Sequence, residues 1–189
     1  MKRFLFLLSF MLLASSAAFA QGQKVSRSSV GMKGTSTLHN WSATVGKVRG
    51  TADIRVEGTT LKSINSLSVT MDVNSIKSDK GSTMDRNIQN TMNASKHSTI
   101  TYQLKSVSSL TQQAGGWQAV TKGSLTMNGV TKTVDLTVAA TVAADGSIRF
   151  KGTKKMKMTE FSITPPVLFL GTLKTSDDVT LSLDVTFAK

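Results

Sequence analysis

His39 and His97 are the only histidines in the 189-residue chain, and the chain contains no cysteine. A protein-held metal ion needs three or four ligands at suitable spacing, and the sequence shows no such set. It also has no Gly-x-Ser-x-Gly elbow for a serine nucleophile and no glycine-rich phosphate loop. The sequence therefore predicts a protein without catalytic residues, a metal site or a cofactor.

Positive charge is the second chemical feature, because the chain contains 23 Lys and Arg and only 11 Asp and Glu. Such a surface suits anionic lipid headgroups, phosphorylated ligands or an anionic cell envelope. Nucleic acid is not an expected partner, since the basic residues are dispersed and one Tyr and two Trp offer few stacking surfaces. The densest basic group fits either a solvated face or contact with a lipid phosphate near an opening; it comprises Lys151, Lys154, Lys155 and Lys157.

The element that the sequence predicts most clearly is a β-hairpin over residues 122–142. Asn128-Gly129 separates two alternating segments, and this pair tolerates the positive φ of both central residues of a type I′ turn. After the turn, every second residue is apolar: Val134, Leu136, Val138, Ala140 and Val142. One face of this strand is predicted to be buried and the other solvated.

The same period of two predicts further strands over residues 48–57, 67–73, 100–107, 148–158 and 179–187. Residues 24–30 are weakly patterned and predict an edge strand. In the strand from Ile148, Lys154 interrupts the apolar inward row, so its ammonium group either reaches solvent or faces a hydrated interior. Pro165-Pro166 is predicted to end that strand, because proline cannot donate to a strand ladder.

Residues 80–95 lack this alternation and predict a single short helix. Met84, Ile88 and Met92 are spaced for one helical face, and Asp79 or Ser82 is available as the N-cap. The apolar stripe is expected to lie against the sheet or across an open end. Methionine is adaptable enough that a gating role at that end stays open.

The first twenty residues are typical of a secretory signal peptide. A basic start is followed by an apolar run that is too short to span a membrane comfortably and by the cleavage motif Ala18-Phe19-Ala20. The predicted organisation is a signal peptide over residues 1–20 and one domain over residues 21–189, with no transmembrane span after cleavage. The mature protein is expected in the periplasm or secreted, and without disulfides it must rely on its core and strand pairing.

About eight strands with short turns and one helix favour an all-β fold, an antiparallel meander. Eight strands can close into a β-barrel, which removes exposed strand edges and leaves room for side chains or one slender ligand. A β-sandwich with a filled core is the alternative.

Four segments of the chain resemble the YceI-like family in the family's order: residues 34–41 (GTSTLHNW), 95–102 (SKHSTITY), 123–132 (GSLTMNGVTK) and 158–166 (MTEFSITPP). The hairpin segment is the most specific. The resemblance implies an exported, lipocalin-like antiparallel barrel with a helix near one end, which holds a long isoprenoid or fatty-acyl chain in an apolar channel. Ser98 and Thr133 depart from the family, which often has proline at both positions.

The combined interpretation is a non-catalytic binding or carrier protein for such a lipid. The predicted ligand-binding residues face inward from the strands and from the segments beside them: Trp41, Leu67, Val69, Met71, Leu104, Leu125, Met127, Leu136, Phe150, Phe161, Leu181 and Leu183. His39 and Lys154 are candidates for the rim of the channel. His39 beside Trp41 fits a hydrogen-bonded structural pair better than a ligand contact.

Two alternatives stay open at this point. The first is a structural or partner-binding envelope protein with a packed core, and the second is an enzyme or electron-transfer accessory that acts on a quinone-like isoprenoid. The residues do not determine the ligand, the protein partner or whether the protein forms a homodimer.

Overall fold

The computed structural model describes residues 22–189, so the predicted signal peptide lies outside the described part. The strands are β1 (Gln23–Ser36), β2 (Asn40–Val45), β3 (Val48–Glu57), β4 (Thr60–Asp72), β5 (Ile76–Ser78), β6 (Thr99–Gln113), β7 (Gly116–Met127), β8 (Val130–Val142), β9 (Ile148–Lys157), β10 (Val167–Leu168) and β11 (Leu173–Ala188). The α-helix is α1 (Ser82–Thr91), and 3-10 turns occupy Val73–Ser75, Met158–Phe161 and Phe169–Gly171. No helix of residues 22–189 has the length and apolar character needed to cross a membrane.

Eight of the strands form a closed antiparallel barrel, in the order β1, β3, β4, β6, β7, β8, β9, β11 and back to β1. At the closure, Val30 of β1 pairs with Leu183 of β11. The predicted barrel with a single α-helix is thus confirmed within the described residues, and the two-layer sandwich is not formed. The prediction that residues 24–30 form an edge strand is correct only in part: residues 25–29 pair with β11 alone, whereas Lys24 also pairs with β3 and Val30 also pairs with β2.

The second edge of β1 is divided between two partners, which shapes one end of the barrel. Lys24 pairs with Thr51 of β3, whereas the stretch from Val30 to Thr35 pairs with β2. Strand β2 pairs in turn with β5, and α1 contacts β5. Strands β2 and β5 therefore extend the barrel wall at the end where β1 no longer pairs with β3. Helix α1 lies at this end, which is called the upper end below.

Helix α1 is fastened to β5 through Asp85 in its first turn and through Gln89, whose side chain donates to the Ile76 carbonyl at 3.3 Å. Asp85 accepts a hydrogen bond from the Ser78 backbone N–H at 2.6 Å and pairs with Lys77 at 3.1 Å. The N-cap is Gly81, which makes no side-chain cap, so neither Asp79 nor Ser82 caps the helix as predicted. Asp79 instead accepts the Ser42 N–H at 3.1 Å, which places its carboxylate on β2 rather than on the helix.

The turn between β7 and β8 joins three parts of the upper end. Asn128 and Gly129 have φ values of 49° and 76°, which confirms the predicted positive-φ turn. The Asn128 side chain donates to the Phe161 and Ser162 carbonyls at 3.1 and 3.0 Å and accepts from Asn93 at 2.8 Å. The hairpin therefore ties the 3-10 turn after β9 to the segment after α1.

Strand β9 ends at Lys157, well before the prolines that were predicted to end it. The Met158–Phe161 turn begins there, and Thr159 donates its N–H and its hydroxyl to Asp177 at 2.9 and 2.7 Å. These two hydrogen bonds to β11 hold the backbone in a turn instead of an extended ladder. The prolines lie beyond this turn and do not determine its position.

Candidate functional site

The barrel surrounds two adjoining cavities of about 420 and about 130 Å³. The larger, called the upper cavity, is bounded by α1, β1, β2, the Met158–Phe161 turn and the start of β11. The smaller, called the lower cavity, lies between the inward faces of the barrel strands. Five side chains line both cavities, which therefore follow one another along the barrel: Val30, Met71, Leu125, Met156 and Leu181.

Helix α1 supplies one wall of the upper cavity. Met84 and Ile88 line it from the helix, and Met92 lines it from the first residue after the helix. The stripe that the sequence spacing predicted therefore faces the cavity at the end of the barrel. Exposed residues border the same space on two sides, Lys80 from the helix side and His39 from the turn between β1 and β2, which locates the mouth between them.

Trp41 of β2 is a buried wall of the upper cavity and stands directly opposite Gly34 of β1. Its indole Nε1 has no hydrogen-bond partner among the described residues. The expected hydrogen-bonded pair of His39 and Trp41 is therefore not formed, since His39 is exposed and the indole N–H is unpaired. The indole acts as an apolar surface that covers the second half of β1.

Tyr102 and Thr121 bring hydroxyl groups to the lower cavity, and these groups are bonded to each other. The Thr121 hydroxyl donates to the Leu136 carbonyl at 2.9 Å, so the Tyr102 hydroxyl, 3.3 Å away, is the donor to Thr121. Burial raises the pKa of the Tyr102 phenol, which keeps it neutral. Its ring lies over Gly123, where a Cβ atom would overlap it.

All the predicted ligand-binding residues line one or both cavities. Trp41, Met127 and Phe161 line the upper cavity, Met71, Leu125 and Leu181 line both, and the lower cavity takes the remainder: Leu67, Val69, Leu104, Leu136, Phe150 and Leu183. Of the two rim candidates, His39 borders the mouth, whereas Lys154 lies in the wall of the lower cavity. Contact of any of these residues with a ligand stays a prediction.

Several wall residues were not among those predictions. The upper cavity is also lined by Val30, Met84, Ile88, Met92, Met158, Ile163 and Val179. Met84 and Met92 were predicted to lie on the apolar stripe of the helix, with a gating role left open. Met156 of β9 and Met158, directly after it, continue the inward row, so the period of two could have identified them. Val30 lies in a weakly patterned segment, and only the closure with β11 shows that it faces inward.

The exposure of the inward leucines distinguishes a cavity from a packed core. Leu67, Leu104, Leu136 and Leu183 face the interior of the barrel, and yet they are only half-buried. An interior packed at normal protein density would bury such side chains completely. The far end of the lower cavity is packed in this way, with Phe187 1 % exposed and its ring centroid 6.1 Å from that of Phe150.

The walls limit the chemistry that the site can perform. Residues 22–189 contain no group of three or more His, Cys, Asp or Glu side chains that could hold a metal ion. The lining is mostly aliphatic and thioether carbon, which favours burial of an apolar molecule over directional recognition. A closed antiparallel barrel around such a cavity defines the class of lipocalin-like β-barrels.

Within this class, the chain belongs to the YceI-like domain family, whose model matches residues 23–187. The match covers both sides of the barrel closure, from β1 to β11. No curated protein sequence matches the chain significantly.

Three solved structures show the same fold at low sequence identity. BcnA of Burkholderia cenocepacia is 18% identical with a TM-score of 0.64, covering 86% of this chain and 96% of its own. A polyisoprenoid binding domain from Saccharophagus degradans is 13% identical with a TM-score of 0.65, covering 88% and 96%. The Campylobacter jejuni YCEI protein is 21% identical with a TM-score of 0.59, covering 78% and 84%.

Proposed function

We propose that the protein is an exported, non-catalytic binding or carrier protein that holds a long isoprenoid or fatty-acyl chain in the barrel. The observation that carries this proposal is the continuity of the two apolar cavities through five shared wall residues. A ligand that fills both must be elongated, because the cavities are arranged one after the other along the barrel. The same arrangement argues against an envelope protein whose interior is solid core.

The size and lining of the cavities support an apolar ligand. At about 420 Å³, the upper cavity falls in the range of roughly 300–1,000 Å³ that is common for ligand pockets. Burial of a hydrocarbon chain contributes roughly 0.8 kcal/mol per methylene, so a dozen buried methylenes support tight binding with few polar contacts. The solved polyisoprenoid binding domain with the same fold supports the isoprenoid form of this proposal.

Extraction of the purified protein tests the proposed function. Material made in its native host is transferred to organic solvent, and the extract is analysed by mass spectrometry. We expect a long-chain lipid near one equivalent per barrel, and an exported protein of unrelated fold, purified in parallel, serves as the control for carry-over. An extract that matches the control, together with no uptake of added lipid by the purified protein, would contradict binding.

Export is tested separately. Cleavage after Ala20 gives a mature chain that begins at Gln21, and this end is read by N-terminal sequencing of protein from the native host. Replacement of Ala18 and Ala20 with Arg is the matched variant, since it removes the small residues that signal peptidase requires. Retention of Met1 on the unmodified protein would contradict export and leave the barrel unaffected.

A further inference from the structure

Every large apolar side chain that the structure of residues 22–189 shows as exposed lies beside the mouth of the upper cavity. These are Leu38, Val167 and Leu170, which are 71, 57 and 107 % exposed. Leu38 directly precedes His39 and Val167 directly follows Pro166, and both of these neighbours line the upper cavity. The three side chains, called the mouth patch below, therefore place apolar surface in water at the entrance of an apolar cavity.

Hydrogen bonds join the two loops that carry the mouth patch. The Thr37 backbone N–H donates to the Lys174 carbonyl at 3.0 Å, and the Lys174 N–H donates to the Thr37 hydroxyl at 3.2 Å. The same hydroxyl donates to the Thr172 carbonyl at 3.1 Å. Val167 is the register partner of Lys174, and Leu170 lies in the turn between them. The three apolar side chains therefore belong to one joined pair of loops and form a single surface.

The backbone of both leucines is held in a defined turn. The Ser36 hydroxyl accepts the N–H groups of Leu38 and His39 at 3.3 and 3.2 Å and donates to the His39 carbonyl at 2.9 Å. Leu170 has φ 52° and ψ 33°, the left-handed conformation that leucine rarely adopts. The fold thus keeps two leucines in water at a cost, with no burial inside the barrel to offset it. Exposed apolar patches of this kind mark sites that contact a membrane or a partner.

The charge of the chain favours an anionic partner for this surface. Lys174 is exposed within the joined loops, and Lys80 and Lys157 are exposed residues that line the upper cavity. Acidic residues balance part of this local charge, since Asp79 lies 3.7 Å from Lys80 and Asp178 is the register partner of Lys157. Most of the attraction to an anionic surface therefore comes from the chain as a whole, whose 23 Lys and Arg exceed its 11 Asp and Glu.

A phospholipid bilayer is the partner that fits both features. At a membrane interface, apolar side chains enter the acyl boundary while the basic residues of the protein are attracted to anionic headgroups. Two copies of this chain would instead bring two basic surfaces together, which opposes association. A bilayer is also the phase that dissolves long-chain lipids, because their apolar chains are poorly soluble in water.

We propose that the mouth patch docks on an anionic phospholipid bilayer, with Leu38, Val167 and Leu170 inserted at the headgroup level and the mouth of the upper cavity facing the membrane. Docking itself follows from the patch and the charge, whereas its use for passing a lipid between bilayer and barrel rests on the proposed function. The patch residues leave water only when the protein is bound, so removal of the leucines should weaken membrane binding without disturbing the barrel.

Vesicle flotation of the delipidated protein tests the docking. We expect binding to vesicles of phosphatidylcholine mixed with phosphatidylglycerol, weaker binding to phosphatidylcholine alone, and release by salt. The double variant Leu38→Ser with Leu170→Ser should bind the mixed vesicles at least about tenfold more weakly, because it loses the burial of two leucines. Lys174→Gln should also weaken binding, and Lys105→Gln is its matched control, because Lys105 is exposed beside Leu104, which lines only the lower cavity.

The orientation on the membrane has its own measurement. The chain contains no cysteine, so a single introduced cysteine can be labelled with an environment-sensitive fluorophore. The label on Leu170→Cys should become brighter and shift to shorter wavelength when mixed vesicles are added. Gln113→Cys is the matched control, because Gln113 is exposed beside the turn between β6 and β7 at the opposite end of the barrel, and its label should not change.

The outcomes separate this inference from the proposed function. No binding of the unmodified protein to the mixed vesicles, or equal binding by the double leucine variant, would overturn the docking. A dimer of the unmodified protein that the double variant dissociates, seen by analytical ultracentrifugation, would assign the patch to a second copy and also overturn it. The double variant should still take up lipid supplied in detergent micelles while it loses uptake from vesicles. If the unmodified protein binds vesicles and takes up lipid from neither source, the proposed function fails and the docking stands.

Discussion

Gly34 of β1 and Trp41 of β2 are register partners, and the indole ring lies directly on the glycine backbone. A Cβ atom built on Gly34 would overlap the six-membered ring and come within 3.1 Å of Nε1. The missing side chain therefore makes the space in which a buried tryptophan can form a wall of the upper cavity. One glycine thus determines where the largest side chain of the site lies.

Replacement of Gly34 with Ala is expected to push the indole off β1 and towards the upper cavity. We expect a loss of stability of about 1–3 kcal/mol, as for other overpacked sites, together with weaker lipid uptake. Chemical denaturation and lipid titration measure the two effects. In the double variant with Trp41→Leu, the loss in the free energy of unfolding should be smaller than the sum of the losses of the two single variants. A loss equal to that sum would show that the indole ring does not contact the new methyl group.

The hairpin turn offers a second test. Gly129→Val should destabilise the fold by on the order of 1 kcal/mol or more, because a β-branched residue resists the φ of 76° found there. A Cβ atom would also lie 2.6 Å from His97 Cε1, so a clash adds to the backbone strain. Thermal melts of Gly129→Val with and without His97→Ala separate the two causes, and an unchanged melting curve for the single variant would contradict the turn.

The strands that could be predicted from the sequence are those with one buried and one solvated face. Strands β8 and β11 could be predicted because polar residues on their outward faces alternate with apolar residues, after Val130 in β8 and from Val179 in β11. Strand β1 could not be placed, since its main partner β11 lies about 150 residues away and Gly31 and Gly34 interrupt its pattern. The end of β9 was missed because hydrogen bonds from Thr159 to the distant Asp177 determine it.

The cavity could be predicted only in part for a related reason. Period-two patterning identifies which side chains face inward, and it names Leu67, Leu136 and Leu183 without stating whether the space between them is filled. That depends on the radius of the closed barrel and on the extended end made by β2 and β5. The sequence shows Lys154 as an interruption of an inward row, and only the closed barrel shows that it pairs with Leu181 of β11.

Acid stability provides a third prediction. The pKa of Asp85 is lowered, chiefly because its carboxylate accepts the Ser78 backbone N–H and secondarily because Lys77 is adjacent. A lowered folded-state pKa adds stability that is present above the unfolded-state value, about 3.8, and is lost as the pH falls through the folded-state pKa. Asp85→Asn should therefore lower the melting temperature at neutral pH. Below about pH 3.8, the melting temperature of this variant should fall less steeply with pH than that of the unmodified protein.

The matched control for this prediction is Lys77→Met, which leaves the hydrogen bond from Ser78 in place. Because that bond is the larger cause of the lowered Asp85 pKa, most of the acid dependence should remain in this variant. Thermal melts over a series of pH values measure both variants. Parallel curves for Asp85→Asn and the unmodified protein would show that this carboxylate does not contribute to the acid dependence of folding.

The last prediction tests the lower cavity against a packed core. Leu183 lines that cavity, is only half-buried and lies where the proposed ligand chain would run. Leu183→Trp adds bulk that the empty space can receive, so the stability of the delipidated protein should be nearly kept while co-purifying lipid falls sharply. Ile148→Trp is the control, because Ile148 is fully buried and lines neither cavity; overpacking there should cost about 1–3 kcal/mol. If Leu183→Trp is destabilised as much as Ile148→Trp and the unmodified protein yields no extractable lipid, the interior behaves as core and lipid binding is contradicted.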